Sequence, residues 1–350
     1  LEGLPSTQEM QARGAEGRPL TRPELAVLLA WSKIVLFDDI VASDLPDDPW
    51  FTEVLKGYFP SPIDGFDEAL ANHRLRREII ATVIANRSLD LGGPVAIQRL
   101  RELTGAAPAA VIRGVEAARA VLDISGFRRE VFALDNKVSA DLQTELQIEA
   151  VQAVNEAAAW FIRTLPEKTA GEAVAATHGP LNELKAALSG IQTAYPASRI
   201  ERSARAFMKR GAPEALARWA AAMSYFAQGL VVTEIAERSG RKVAEAGASF
   251  YQMGDALRLD RLRTSAREGL VDAPYWDRVA GRRLISELVR LQASVSEEAL
   301  SDGGVEAWLE ARSEGRKQLL ATLGALGKDR DWSFAKFALS ADAVRQFMGR

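Results

Sequence analysis

Apolar residues recur at spacings of three and four through most of this chain, and alternation of period two is nearly absent, so the pattern predicts helices almost throughout. The first begins at Thr21. Thr21 and Glu24 stand three apart, as a capping box requires, and Pro23 falls in the first turn, where its missing N–H is harmless. From Leu25 to Phe37 the segment is apolar in nearly every position. A helix apolar on every side must be enclosed by other helices, so this one is expected inside a large core.

Further elements follow the same logic. Asp48-Pro49 opens a short helix through Trp50, Val54 and Leu55 that ends before Pro60. Residues 74–89 read as a strong helix with Leu75, Ile79, Val83 and Ile84 on one side, closed by Gly92-Gly93-Pro94. Pro108 opens a helix through Val111, Ile112, Val115 and Val121 that closes near Gly126, and residues 127–134 form another short one. Residues 138–165 are expected to be the longest helix. Its seam runs through Ile148, Val151, Val154, Ala158, Phe161 and Leu165, and Pro166 stops it. Residues 169–195 read as weaker helices interrupted by Gly179-Pro180. Beyond Pro196, helices are expected near 197–210, 213–227, 232–238, 242–257, 275–300, 305–326 and 341–348. Val231-Val232 is too short and isolated to begin a sheet, and no repeat of fixed period suggests a solenoid. The fold class is therefore all-α, a multi-helix bundle of roughly a dozen helices, in one body or in two helical subdomains. The expected division is a flexible linker at 1–19, a helical subdomain at 20–166, a soft boundary at 167–196 and a second helical subdomain at 197–350.

Composition narrows the functional classes. The 350 residues are 47% hydrophobic and 26% charged, enough for a real core and its cover. A net charge of −3 points to neither nucleic acid nor an anionic membrane, and no long apolar stretch is free of charge, so a cytoplasmic chain without membrane contact is expected. Cysteine is absent, which removes disulfides, thiolate catalysis and cysteine metal sites, and two histidines, His73 and His178, do not make a zinc or iron centre. The chain does not begin with Met and opens on a polar segment, as a piece of a longer polypeptide or a processed N-terminus would.

Several blocks also resemble a known family. TRPELAVLLAWSKI (21–34), SDLPDDPWFTEVLKGYFP (43–60) and HRLRREIIATVIANR (73–87) look like the region that follows the catalytic domain in the large bacterial NAD-specific glutamate dehydrogenases. The likeness continues at FRREVFALDNKVSADLQTELQ (127–147), GAPEALARWAAAMSYFAQGLVVTEIAERSG (211–240) and YWDRVAGRRLISEL (275–288). The order and spacing of separate blocks make the resemblance specific. It implies a parent enzyme that oxidises L-glutamate with NAD, and a homo-oligomer in which this region packs on the catalytic domain of the same polypeptide. In such enzymes the water-activating lysine, the proton-transferring acid and the basic groups for the substrate carboxylates sit in a glycine-rich segment of the catalytic domain. No similar segment occurs here, so the resemblance assigns this piece no catalytic residue; nor is any cofactor-binding or metal-binding residue assigned.

The remaining polar clusters are candidates for contacts. A dinucleotide site needs a strand, a glycine-rich turn and a helix, and no G-x-G-x-x-G is present. Gly324-x-x-Gly327-Lys328 lacks the Walker spacing and reads as a helix C-cap. His73-Arg74-Leu75-Arg76-Arg77-Glu78 places basic groups at a helix start, against its dipole. Arg76, Arg77 and Glu78 are therefore either a contact for an anion or an acidic partner, such as an interdomain contact with the adjoining catalytic domain, or a cluster whose basic groups are ion-paired within the bundle with Glu78, Asp67 or Glu68. Asn86 is a packing residue or an interdomain contact, and Asp135, Asn136 and Lys137 form a helix–helix corner or an interdomain polar contact. Arg199, Arg202, Arg205, Lys209 and Arg210 make a basic stripe, which reads as a solvated or salt-bridged face, a contact for an acidic protein partner or, against the poor aromatic interleaving of Phe207 alone and the acidic chain, a grip on nucleic acid. Among the tryptophans, Trp308, flanked by Glu306, Glu310 and Arg312, is the candidate for an exposed interface aromatic. The competing reading of the whole chain is a free-standing helical interaction module that uses the 199–210 stripe.

Overall fold

The computed structural model describes residues 3–60, 65–327 and 332–349, and these are helical with no strand among them. Eighteen α-helices and two short 3-10 turns are present among the described residues, so the fold is all-α. They form two compact units: the described residues up to Ala117 together with Phe161–Ala173, and Ala118–Trp160 together with the described residues from Val174 onward.

The first unit opens with α1 (Thr7–Ala15), inside the stretch expected as a linker, capped by the Ser6 hydroxyl, which accepts from the Glu9 N–H at 3.2 Å. Arg13 of α1 donates to both Glu24 carboxylate oxygens at 2.9 and 3.0 Å. Glu24 belongs to α2 (Arg22–Val41), whose expected capping box is formed. The Thr21 N–H donates to Glu24 Oε2 at 2.7 Å, and this bond holds the Glu24 carboxyl below the usual carboxylate range. The expectation that α2 is enclosed does not hold. Leu36 and Ile40 are buried, but Leu25, Leu29, Trp31, Ile34 and Val35 are exposed, Val35 by 56%. Helix α2 packs on α5 (Arg76–Gly92), with Leu36 and Ile40 in the shared core, while much of the stretch from Leu25 to Val35 finds no cover among the described residues.

The core of this unit joins Ile40, Leu45, Phe51, Leu55, Ile80 and Ile84. Two further helices, α3 (Thr52–Lys56) and α4 (Asp67–Ala71), lie on α5 and on α3 respectively. Asp48 is buried here and works at both ends of its carboxylate. Oδ1 accepts from the Trp50 N–H at 3.0 Å, and Oδ2 accepts from the Ala170 N–H at 3.0 Å, at the start of α10 (Ala170–Ile191). Helix N-termini leave such N–H groups unmet, so one side chain satisfies two of them. Helices α6 (Ala96–Thr104) and α7 (Pro108–Val121) complete the unit.

The second unit begins with α8 (Ile124–Phe132) and α9 (Ala140–Thr164). Of the seam expected for α9, Val154, Ala158 and Phe161 are buried, Val151 and Leu165 are half-buried and Ile148 is exposed; Leu142, Leu146, Ala150, Ala153 and Ala157 complete the inward face. At 25 residues α9 is shorter than α15 (Tyr275–Ser301), which has 27. The break expected at Gly179-Pro180 is absent, and α10 runs through Pro180. Leu181, Leu184 and Leu188 beyond the proline are all buried, and that packing outweighs the lost hydrogen bond. Alongside lie α11 (Ala194–Lys209), α12 (Glu214–Ser239), α13 (Val243–Ala256) and α14 (Leu259–Gly269). Val231-Val232 falls in the buried middle of α12, which is one helix rather than two. Glycines let α10 approach closely: a Cβ on Gly229 would stand 2.9 Å from Leu181 Cδ1, and one on Gly247 2.5 Å from Ile191 Cδ1. Helices α16 (Val305–Glu310), α17 (Ser313–Leu326) and α18 (Phe334–Phe347) close a second core around Leu257, Leu288, Trp308 and Phe337. Gly327 is the C-cap of α17, as expected, and Lys328 lies outside the described residues.

The double cap at Asp48 yields a direct prediction. Asp48→Ala leaves the buried Ala170 N–H and the part-buried Trp50 N–H without this acceptor and should lower unfolding stability by about 1–3 kcal/mol, read by urea denaturation. An unchanged midpoint would show that the cap adds nothing.

Candidate functional site

The second unit contains a polar cavity of about 250 Å³ walled by four helices. Glu149 and Glu156 come from α9, Arg199 and Ser203 from α11, and Tyr225 and Gln228 from α12. Asp260, Arg263, Arg267 and Glu268 come from α14. Local sequence explains why α14 delivers so many. Asp260, Arg263 and Arg267 are spaced by three and four, so they share one helix face.

At the bottom of this cavity Arg263 is completely buried. Its guanidinium donates to Asp260 Oδ1 and to Gln292 Oε1. Gln292 on α15 in turn donates to the Phe250 carbonyl at 2.7 Å, and Ser296 donates to the Gln292 carbonyl at 2.7 Å. Burial raises the Asp260 carboxyl and lowers the Arg263 guanidinium, and their mutual attraction opposes both shifts. Gly254 makes this possible: a Cβ there would lie 2.5 Å from Gln292 Nε2 and 2.7 Å from Asp260 Oδ2.

Nearer the opening, Arg199 pairs with Glu268 at 3.2 Å and Arg267 with Glu156 at 2.9 Å. Burial pushes the Tyr225 hydroxyl up to about 12, with Asp260 adding to the effect, so it stays protonated at neutral pH. Burial, then the neighbouring Glu156, raises the Glu149 carboxyl, against the pull of Arg199 and Arg267. Several buried polar atoms of the lining have no partner: Gln228 Oε1, Asp260 Oδ2 and Arg263 Nε. Unmet buried polar groups are uncommon in folded proteins and call for an explanation.

The residues singled out from sequence fall elsewhere, except Arg199. Arg77 donates to the Val41 and Ser43 carbonyls at 2.8 and 2.6 Å, closing the C-terminus of α2, and pairs with Asp47. Arg76 reaches the same Asp47 at 3.3 Å, and these guanidiniums, Arg77 first, hold the Asp47 carboxyl low. Asp47 was not among the partners expected for this cluster. Glu78 and Asn86 lie half-buried on α5. Asp135, Asn136 and Lys137 are exposed at the corner between α8 and α9, with Asn136 at φ 60° and its N–H donating to Asp135 Oδ1 at 3.1 Å. Arg202 is exposed, Arg205 pairs with Glu201 at 2.5 Å, and Arg210 pairs with Glu145, so much of the basic stripe is neutralised within the unit. Trp308 is 2% exposed and is not an interface aromatic. Val305, Trp308 and Leu309 share the inward face of short α16, and Arg312 stacks on the indole at 4.1 Å from the ring centre. The most exposed tryptophan among the described residues is Trp276, at 75%, edge-on to Tyr275.

With this geometry in hand, comparison with known proteins places the chain. The family described as Glutamate dehydrogenase, C-terminal, matches residues 17–346, and the chain belongs to that family. It is similar to the NAD-specific glutamate dehydrogenase of Halomonas elongata, 28% identical over 362 residues, covering 99% of this chain and 22% of that protein. The NAD-specific glutamate dehydrogenase of Pseudomonas aeruginosa is 30% identical over 374 residues, again across 99% of this chain and 22% of its own length. That of Mycobacterium tuberculosis is 28% identical over 270 residues, 77% of this chain and 16% of its own. The chain thus spans about a fifth of the length of the first two relatives.

The buried network makes a testable statement. Arg263→Met strands Asp260 as an uncompensated buried carboxylate and should cost about 3–5 kcal/mol in chemical unfolding. Adding Asp260→Asn should restore much of that loss. A loss in the double variant equal to the sum of the Arg263→Met and Asp260→Asn losses would mean that the pair is not coupled.

Proposed function

We propose that this chain is the C-terminal helical region of a large, cytoplasmic NAD-dependent glutamate dehydrogenase. The whole enzyme converts L-glutamate, NAD⁺ and water into 2-oxoglutarate, ammonium, NADH and a proton. In this reading the reacting groups and the NAD site belong to the rest of the polypeptide. This region is a non-catalytic scaffold that packs on the catalytic domain and on neighbouring copies in a homo-oligomer. The family match and the names of the relatives support the assignment.

The observation that carries the packing role is the uncovered stretch of α2 from Leu25 to Val35. Leu25, Leu29, Trp31, Ile34 and Val35 are large apolar side chains exposed within eleven residues of one helix. Contiguous exposed apolar surface marks an interaction site, and covering a Val or Ile side chain contributes about 1.5–3 kcal/mol. The remaining four-fifths of a relative-sized polypeptide is the natural cover.

The test is complementation. A parent enzyme truncated before Leu1 is mixed with this chain, and glutamate-dependent NADH formation is followed. The wild-type chain should bind the truncated enzyme and support activity, while Ile34→Glu/Val35→Glu should bind at least about tenfold more weakly, with its own unfolding midpoint unchanged. Equal binding by the double variant would remove α2 from the interface.

A further inference from the structure

The cavity among α9, α11, α12 and α14 has an uneven account of donors and acceptors. Its three guanidiniums are already matched: Arg199 with Glu268, Arg267 with Glu156, Arg263 with Asp260 and Gln292. What is left over is mostly acceptor. Glu149 has no ion pair among the described residues, although its carboxylate is largely shielded from water. Gln228 Oε1 and Asp260 Oδ2 are buried without a donor, on side chains only 6% exposed. Among the fully buried atoms of the described lining, Arg263 Nε is the single donor without a partner. A buried carboxylate and two buried acceptors call for a cation that brings several N–H groups.

The chemistry of that cation is restricted further. No group of three or more acidic or histidine side chains suited to a metal ion exists among the described residues, which disfavours a divalent metal. The volume of about 250 Å³ equals about eight water-sized groups at roughly 30 Å³ each, far more than one ammonium or alkali ion occupies. An anion would meet guanidiniums that already hold carboxylates, beside a fourth carboxylate at Glu149. The Tyr225 ring adds an aromatic wall against which an ammonium is stabilised.

We propose that this cavity binds a small organic cation with a primary ammonium group, held by Glu149, Gln228 Oε1 and Asp260, with its remaining polar end toward Arg263 and the Ser203, Ser224 and Thr264 hydroxyls. The site lies wholly within the second unit and stands independently of how the chain packs on its parent.

Glu149→Gln separates this reading from simple misfit. The raised Glu149 carboxyl binds its proton more tightly in the folded chain, so it favours folding most below its ordinary value of 4.5 and opposes folding as pH rises through the shifted value. The groups facing it are Glu145, Glu156, Arg199 and Arg267. At pH 7.5 the Gln variant should therefore melt higher than wild type without ligand, and this difference should fade near pH 4. Titration calorimetry and thermal unfolding of this chain with ethanolamine and with putrescine should show saturable binding and a rise in melting temperature. Glu149→Gln should weaken that binding at least about tenfold, and Gln228→Leu should also weaken it. Sodium acetate and tetramethylammonium should give no saturable signal. No saturable binding of either amine to folded wild type would overturn the proposal. So would equal binding by both variants, or acetate binding as tightly as the amines.

Discussion

A guanidinium sealed from water has to be met by oxygen, and in the second unit the packing of three helices is organised around that requirement. Arg263 rises from α14 at a position where the helix otherwise buries Leu259 and Ala266. Asp260 meets it from one turn earlier and Gln292 from α15, and Gln292 is itself fixed by the Phe250 carbonyl of α13. Ser249 extends the chain of bonds by donating to the Ser296 carbonyl at 3.0 Å. A slide of any of these helices by one residue would separate buried donors from their acceptors. Apolar packing alone tolerates such slides far better, since it has no direction. Gly254 is the geometric condition for the arrangement, because any side chain there would occupy the space of Gln292 and Asp260.

The first unit uses a related device at smaller scale. Asp48 satisfies two helix starts, and Arg77 satisfies the end of α2 by reaching the Val41 and Ser43 carbonyls. A cluster that looks, in sequence, like a surface for binding anions thus turns out to be occupied at home. The same is true of much of the 199–210 stripe: Glu201, Glu145 and Glu268 take Arg205, Arg210 and Arg199.

Much of the fold was legible because local rules and tertiary packing agree there. The Thr21–Glu24 box, the helix after His73 and the helix after Pro108 all appear where their caps and apolar stripes place them. Legibility failed where packing overrode local preference. Pro180 lies inside a helix held on its far side by three buried leucines, and Val231-Val232 sits in a helix buried nearly all round. Helix α14 went unseen because its sequence is dominated by charge, and with it went most of the cavity wall. A signal was present. Leu259, Arg263 and Ala266 fall at spacings of four and three, so the arginine occupies a core position of an amphipathic helix, and a charge in that place announces a buried partner. The exposure of α2 was not readable at all. An apolar segment states that it must be covered; it does not state whether the cover comes from its own neighbours or from elsewhere.

The anchoring of α2 has a thermodynamic corollary. Its start is closed by the Thr21–Glu24 box and braced by Arg13, its end is gripped by Arg77, and Leu36 and Ile40 hold it to the core. A partner that lands on its bare stretch meets a helix already preorganised. Almost none of the association energy is then spent on ordering backbone, so even a modest apolar footprint converts efficiently into affinity.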